Sequence, residues 1–142
     1  MWCPDWPVVA WRCRDTALRG TPVAVLEAAV GAPAVRAVSA EARAVGVRVG
    51  MRRREAESRC PGLTLVDADP SGEARAFEAV ARAVEAFTPR LELDRPGMLS
   101  FPTRGPSRYF GGDDALAALA HTAVVDIGVL DAHVGIADGR LA

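Results

Sequence analysis

The sequence predicts an α+β fold of one compact domain's size. Half of its 142 residues are apolar, which is enough for a hydrophobic core. Short runs rich in Val, Leu and Ala stand between Gly and Pro residues, as buried strands do. Longer stretches between them carry apolar residues at helical spacing. Strands and helices do not alternate strictly, so a mixed sheet with helices is favoured over a doubly wound parallel sheet.

The first third of the chain contains one predicted helix and two strands. Asp5 is in position to cap a helix that begins near Trp6 and runs toward residue 16, with Val8, Val9 and Trp11 facing the core. Gly20-Thr21-Pro22 ends this region, and residues 23–26 and 34–39 form strand-like runs.

The middle of the chain is mainly helical. Ser39 precedes a short predicted helix at 41–45, and a second helix begins near residue 51 and ends before Cys60. Residues 63–66 form a strand candidate, and Asp69 then opens the longest helix, which Thr88-Pro89 ends.

The last third predicts a hairpin, a loop and a final helix. Strands at 91–93 and 98–101 flank a tight turn at Pro96-Gly97. A Gly-, Pro- and Arg-rich surface loop is expected over residues 100–112. A helix at 113–125 and a closing strand at 132–136 complete the chain.

Composition excludes several classes of protein. A net charge of −1 gives no overall basic character for nucleic-acid binding. Cys3, Cys13 and Cys60 lack the spacing of a zinc site, and no metal site is expected from them. The sequence has no signal peptide and no apolar run of about 18 residues, so we expect a reduced, cytoplasmic protein that does not contact membranes.

One segment is distinctly basic. Seven arginines and three glutamates give residues 36–59 a local charge of +4. Arg48, Arg52, Arg53 and Arg54 are the candidates for phosphate contact. The alternative is a solvated helical face whose arginines pair with the glutamates.

The segment from Ser39 to Met51, SAEARAVGVRVGM, resembles the fingers motif of the Y-family DNA polymerases (UmuC-domain proteins), Tyr-Glu-Ala-Arg-x-x-Gly-Val-x-x-Gly-Met. Glu55-Ala56 and Cys60-Pro61-Gly62-Leu63 follow in the family's order, and Gly135-Ile136-Ala137 resembles a palm segment. Trp2–Pro7 and Tyr109–Gly112 are most similar to the ImuB-type branch, which is polymerase-like but inactive.

The resemblance implies a partial Y-family palm with a small fingers subdomain inserted. Residues 1–20 would be the first palm helix region, 21–68 the fingers, and 69–142 a palm that stops before its remainder, the thumb and the little finger. Such a chain would be either a fragment or the product of a truncated gene.

Active members of the family use two Mg²⁺ ions held by carboxylates. The positions that match those acids are Cys3 in the first palm strand and Gly97 and Met98 in the hairpin, so the resemblance implies a degenerate site with no catalytic residues and no cofactor. Glu92 and Asp94 are nearby acids. Strand alternation would direct Asp94 to the opposite face of the sheet.

The nucleotide pocket of the family is only partly preserved. The fingers Tyr that packs on the incoming sugar is Ala40 here. Arg43 matches the fingers Arg that holds the triphosphate, and Arg140 matches a palm Lys with the same role. The alternative for Arg43 is a surface residue that pairs with Glu41 or solvent.

A second candidate surface lies in the predicted loop. Arg108, Tyr109 and Phe110 stand there together and suit contact with a partner or with nucleic acid, or else one ring is buried.

The resulting hypothesis is an inactive polymerase-like adaptor in SOS mutagenic translesion synthesis, located at the bacterial nucleoid when it acts. The resemblance implies primed or damaged DNA, a sliding clamp, an error-prone replicative-type polymerase and a RecA-like accessory protein as partners. One alternative is an active error-prone polymerase that binds Mg²⁺ through displaced acids such as Asp5, Glu92 and Asp94. The other is a fragment with no function of its own.

Overall fold

The structure, a computed structural model, describes residues 1–139. Within this range it has the mixed α+β composition that the sequence predicts. The chain divides into two compact units. We call Asp5–Glu73 the sheet unit, and Met1–Pro4 together with Ala74–Ala142 the hairpin unit.

A three-stranded mixed sheet organises the sheet unit. Its elements are α1 (Trp6–Arg14), β1 (Val23–Glu27), β2 (Ala34–Val38), α2 (Ala40–Ala44), α3 (Arg53–Arg59) and β3 (Thr64–Asp67). The central strand β1 pairs antiparallel with β2 and parallel with β3. The first four residues of β1 are all buried, which explains why its sequence is continuously apolar.

Alternation along β1 divides the core of this unit into two layers. Ala24 and Leu26 pack with residues from β2, α2 and α3. Val23 and Val25 point the other way and pack with Val8 of α1. The sheet therefore carries α1 on one face and the α2–α3 pair on the other.

The start of α1 differs in detail from the prediction. Asp5 stands at the N-cap, but its side chain makes no capping hydrogen bond, and its backbone is left-handed, with φ 52°. The Asp5 carboxylate pairs with Arg43 instead. The helix also ends at Arg14 rather than near residue 16, because the Asp15 side chain accepts a hydrogen bond from the Ala17 amide and starts a separate 3-10 turn. Val8 is buried as predicted, whereas Val9 and Trp11 are only half-buried.

The hairpin unit combines helices with a two-stranded sheet. Its elements are α4 (Pro70–Glu85), which begins in the sheet unit, β4 (Glu92–Arg95), β5 (Met98–Ser100), α5 (Pro106–Phe110) and α6 (Asp113–Asp126). The predicted opening of α4 is confirmed, because the Asp69 carboxylate accepts a hydrogen bond of 2.9 Å from the Gly72 amide. Phe77, Val80 and Val84 are buried at helical spacing along α4.

Two predictions for this unit are wrong. The expected surface loop at 100–112 contains the helix α5, which begins at Pro106 and ends at Phe110, before Gly111, whose φ is positive. The expected closing strand at 132–136 is reduced to a single bridge between His133 and Trp2. Trp2 exchanges both of its backbone hydrogen bonds with His133, whereas on the other side Met1 bonds to Leu99 of β5 and Cys3 bonds to Gly97 of the hairpin turn. Backbone groups of successive extended residues point to opposite sides, so only Trp2 is available to His133.

None of the helices in the described part of the chain is long and apolar enough to cross a lipid bilayer.

Candidate functional site

Residues 1–3 lie beside β5 and bring the predicted degenerate positions together. The Leu99 amide donates to the Met1 carbonyl at 3.1 Å, and the Cys3 amide donates to the Gly97 carbonyl at 2.8 Å. Trp2 is bridged to Met98 between these two bonds. This register places Cys3 directly opposite Gly97. We call Cys3, Gly97 and Met98 the strand joint.

The strand joint does not have the chemistry of a magnesium site. Cys3 is 2% exposed, and burial raises the pKa of its thiol to about 11, so the thiol is protonated at neutral pH. Gly97 offers no side chain, and Met98 offers a thioether. Mg²⁺ requires hard oxygen ligands in near-octahedral geometry, and sulfur is a poor substitute. The residues present do not fit the metal ions that the fold family uses.

The neighbouring acids Glu92 and Asp94 lie on β4, all four residues of which are exposed. Glu92 opposes Ser100 and Leu93 opposes Leu99, but the register shifts between Leu93 and Arg95. Asp94 is therefore the extra residue of a bulge, and strand alternation does not determine which face of the sheet its side chain occupies. Among residues 1–139, no three His, Cys, Asp or Glu side chains are grouped closely enough to hold a metal ion.

The predicted fingers motif begins at a buried helix cap. The Ser39 hydroxyl accepts hydrogen bonds from the Ala42 amide at 3.2 Å and from the Val23 amide at 3.0 Å. It thus starts α2 and joins it to β1. Ala40 follows as the exposed first residue of α2, and Ala42 packs into the core.

Arg43 projects from α2 to a partner that the sequence analysis did not consider. Its Nη2 atom lies 2.6 and 2.7 Å from the two carboxylate oxygens of Asp5 and 3.3 Å from the Val38 carbonyl. Pairing of Arg43 with Glu41 is wrong, because Glu41 binds Arg12 at 2.8 Å. Burial alone would raise the pKa of Glu41, but hydrogen bonds from Arg12 and other donors, with the charge of Arg12, lower it below its ordinary value.

The predicted phosphate-contacting arginines are mostly engaged within the chain. Arg48 donates to the carbonyls of Arg43 and Val47 at 2.7 and 2.9 Å. Arg52 donates to the carbonyls of Val30 and Ala32, and so fastens the loop between β1 and β2.

Arg53 pairs with Glu57 one helical turn away, at 3.1 Å. Arg54 and Arg59 are exposed and form no ion pair or hydrogen bond within the part of the chain that the structure describes. Arg54 and Arg59 are thus the guanidinium groups of this segment without an internal hydrogen-bond acceptor among the described residues, whereas Arg48 and Arg52 bind neutral carbonyls that do not compensate their charge.

Helix α5 gives the two adjacent aromatic residues of the second candidate surface different exposures. Phe110 packs edge-on against both Phe87 and Tyr109, with ring centroids 5.4 and 4.8 Å apart. Tyr109 is 84% exposed, and Arg108 beside it is exposed as well. Phe110 is thus half-buried and Tyr109 is exposed to solvent, so neither ring of the pair is fully buried. Arg140 lies outside the described residues.

Two features of this region escaped the sequence analysis. One is the pairing of Asp5 with Arg43, because no local pattern links residues so far apart. The other is the placement of Trp2, which is 49% exposed and lies against His133, with ring centroids 5.7 Å apart. The only signal for the exposure of Trp2 was its position next to Cys3, because adjacent residues of an extended segment point to opposite faces.

Known proteins match nearly the whole chain. The family model described as the impB/mucB/samB family (IMS) matches residues 3–142. The chain is 35% identical over 124 residues to DNA polymerase IV 2 of Mesorhizobium japonicum, covering 87% of this chain and 28% of that protein.

Solved structures give the same result for the fold. DinB from Sulfolobus solfataricus superimposes with a TM-score of 0.74 at 16% identity, and the post-insertion binary complex of Dbh DNA polymerase with a TM-score of 0.76 at 16% identity. In each case 89% of this chain and 36% of the solved chain are covered. The chain thus spans roughly a third of the length of these proteins.

The predicted likeness to the palm and fingers region of Y-family polymerases is confirmed. The chain belongs to the impB/mucB/samB family, the UmuC-domain family of Y-family DNA polymerases.

Proposed function

We propose that this chain is a catalytically inactive polymerase-like module that acts as an adaptor in translesion synthesis. The observation that supports this most directly is the strand joint. A buried thiol, a glycine and a thioether meet where the family resemblance places the metal-binding acids.

Nucleotidyl transfer depends on metal ions that activate the attacking hydroxyl and neutralise the triphosphate. Removal of a single hydrogen-bond donor that stabilises the transition state typically lowers the catalytic rate by about 10²–10³-fold. Loss of all the metal-binding side chains removes a larger stabilisation, and no described side chain at the joint replaces it. The alternative that uses displaced acids is disfavoured, because Asp5 is already paired with Arg43.

The remaining parts of the module suit binding rather than chemistry. We assign residues 21–68 to the fingers, with Arg54 and Arg59 as the cations free to meet DNA phosphates. Tyr109 with Arg108 is the candidate partner surface. By resemblance to the ImuB-type branch, the partners are a sliding clamp, an error-prone replicative-type polymerase and a RecA-like accessory protein in the SOS response.

Primer extension tests the absence of activity. The chain is incubated with primed DNA and all four deoxynucleotides in Mg²⁺ or Mn²⁺, with a full-length active family member as the positive control. We expect no extended primer. Incorporation that disappears in an Asp94→Ala variant would overturn the proposal, because it would show that a displaced acid supports catalysis.

DNA contact is tested through salt dependence. Each phosphate contact contributes a slope of about −0.9 in the plot of log affinity against log salt concentration. We expect an Arg54→Ala/Arg59→Ala variant to bind primed DNA more weakly and with a shallower slope. Arg53→Ala is the matched control, since Arg53 already pairs with Glu57. If the double variant binds as tightly as the wild type, these arginines do not contact DNA.

A further inference from the structure

The loop between β1 and β2, residues 28–33, consists of apolar residues that face solvent. Its sequence is Ala-Ala-Val-Gly-Ala-Pro, and every one of these residues is exposed. Val30 is 96% exposed, more than any other large apolar side chain among residues 1–139. A contiguous exposed apolar patch, unlike a single exposed apolar residue, is typical of an interaction site.

Arg52 fixes the backbone of this loop. Its guanidinium donates to the carbonyls of Val30 and Ala32, the first at 3.2 Å. Arg52 is also bridged to Ala34, where β2 begins, and Gly31 adopts a positive φ of 86° that the turn requires. A loop that is already held in one conformation loses less conformational entropy when a partner binds it.

The loop carries a positive charge that the chain does not compensate. Arg52 is exposed, its two acceptors in the loop are neutral carbonyls, and it forms no ion pair with any residue in the range 1–139. The acid at the start of the loop, Glu27, lies 3.9 Å from Arg36. A partner that covers the loop must therefore supply a carboxylate to Arg52, because a guanidinium buried without a counter-charge is costly.

The composition of the loop favours a protein over nucleic acid or a lipid surface. Single-stranded nucleic acid is held by aromatic side chains that stack on bases and by rows of cationic or polar side chains, and the loop has neither. Segments that enter a lipid surface carry Trp, Phe or Leu, whereas this loop offers only small aliphatic groups. A protein segment can cover these groups and pair with Arg52 at the same time.

We propose that residues 28–33 and Arg52 form a docking surface for an acidic, apolar segment of a partner protein. Apolar side chains of that segment cover Val30, and one of its carboxylates pairs with Arg52. This inference rests on the proposed function, since an adaptor requires surfaces for other proteins. It adds a surface separate in sequence from Arg108 and Tyr109, and it states the chemistry of the ligand.

The test is fluorescence anisotropy of a labelled synthetic peptide that is titrated with the whole chain in low salt. The probe is a fluorescein-labelled dodecapeptide of alternating glutamate and leucine, and a lysine–leucine peptide is its charge-reversed match. We expect the acidic peptide to bind, and the basic peptide to bind about tenfold more weakly or not at all.

Two variants examine the two parts of the surface. Val30→Ser should weaken binding of the acidic peptide by about tenfold, because it removes the largest apolar side chain of the loop. Arg52→Met keeps an unbranched stem and removes the charge, so it should weaken binding by about fivefold and reduce the dependence of affinity on salt. Circular dichroism verifies that both variants fold.

Exposed positions elsewhere in the chain provide matched controls. Leu130→Ser removes an apolar side chain that is 73% exposed, and Arg82→Met removes the charge of an exposed arginine on α4. Neither should change the affinity. No binding of the acidic peptide, equal affinities for the acidic and basic peptides, or unchanged affinity in Val30→Ser would each overturn the proposal.

Two other probes test the alternative occupants. A single-stranded dodecanucleotide and vesicles of phosphatidylserine and phosphatidylcholine are titrated with the wild type and with Val30→Ser. If either probe binds more tightly than the acidic peptide and loses this affinity in Val30→Ser, the occupant is nucleic acid or lipid and the proposal is wrong.

The outcome is independent of catalysis. Failure of the acidic peptide to bind removes this docking surface and leaves the inactive-module proposal intact. Primer extension by the wild type would refute that proposal without changing the peptide measurements.

Discussion

The ion pair between Arg36 of β2 and Glu73 of α4 offers a quantitative test of what stabilises the sheet unit. Arg36 binds Glu73 through two nitrogens, at 2.6 and 3.2 Å, and the indole of Trp6 donates to the Glu73 carbonyl at 3.0 Å. The Glu73 side chain is only 4% exposed, whereas that of Arg36 is 32% exposed. The variant Glu73→Gln keeps the shape of the side chain and removes its charge.

The expected loss follows from these exposures. Breaking a fully buried ion pair costs about 3–5 kcal/mol, because it leaves an uncompensated charge in the interior. Arg36 is one-third exposed and has Glu27 as a second acid at 3.9 Å, so water and Glu27 compensate part of this cost. We expect Glu73→Gln to lower the free energy of unfolding by about 2 kcal/mol.

Urea denaturation followed by tryptophan fluorescence measures this loss. In a Trp2→Phe background the remaining tryptophans, Trp6 and Trp11, both report on the sheet unit. The midpoint should fall by about 1 M urea. Glu57→Gln, which breaks an exposed pair, is the control and should cost less than about 0.5 kcal/mol. Equal midpoints for the two variants would refute the reasoning.

Four further predictions concern the strand joint and the fingers motif. An alkylating reagent at pH 8 should modify the exposed Cys13 of the folded chain and spare Cys3, as mass spectrometry of the labelled peptides would show. Because burial raises the Cys3 pKa from 9.0 to about 11, the thiol favours the folded state below pH 9, and this contribution is lost as the pH rises toward 11. Urea midpoints at pH 8 and 10.5 should therefore differ less in Cys3→Ala than in the wild type, and an equal difference would contradict the assignment. Gly97→Ala should destabilise the chain by about 1 kcal/mol, measured by urea denaturation, because φ of 91° strains any residue with a Cβ atom. Ser39→Ala should cost about 2 kcal/mol in the same assay, since it leaves two amides without their acceptor, and a loss below about 0.5 kcal/mol would refute the cap.

Local patterns predicted most elements of the fold. The apolar run of β1, the cap of α2 at Ser39 and the opening of α4 at Asp69 depend on residues close together in sequence. The expected closing strand depended on the rest of the chain. The segment near His133 looks like a strand by composition, but it pairs only where a neighbour presents free backbone groups, and Trp2 alone does so.

In the candidate site, too, local features could be predicted from the sequence and contacts between distant residues could not. The fingers motif and the order of elements predict which positions correspond to the family's acids, and that correspondence stays a prediction. The sequence could not predict the partners of the charged groups. Arg12, Arg43 and Arg48 each had several acids or carbonyls within reach of a flexible side chain.

The sequence by itself determined the α+β class, the family and the absence of carboxylates at Cys3, Gly97 and Met98. Periodicity, turn residues and motif spacing are local properties, and they can be identified from the sequence alone. Only the tertiary structure decided that Cys3 opposes Gly97, that Asp94 lies in a bulge and that Asp5 holds Arg43. These features depend on strand register and on contacts between distant residues, which packing of the whole unit selects.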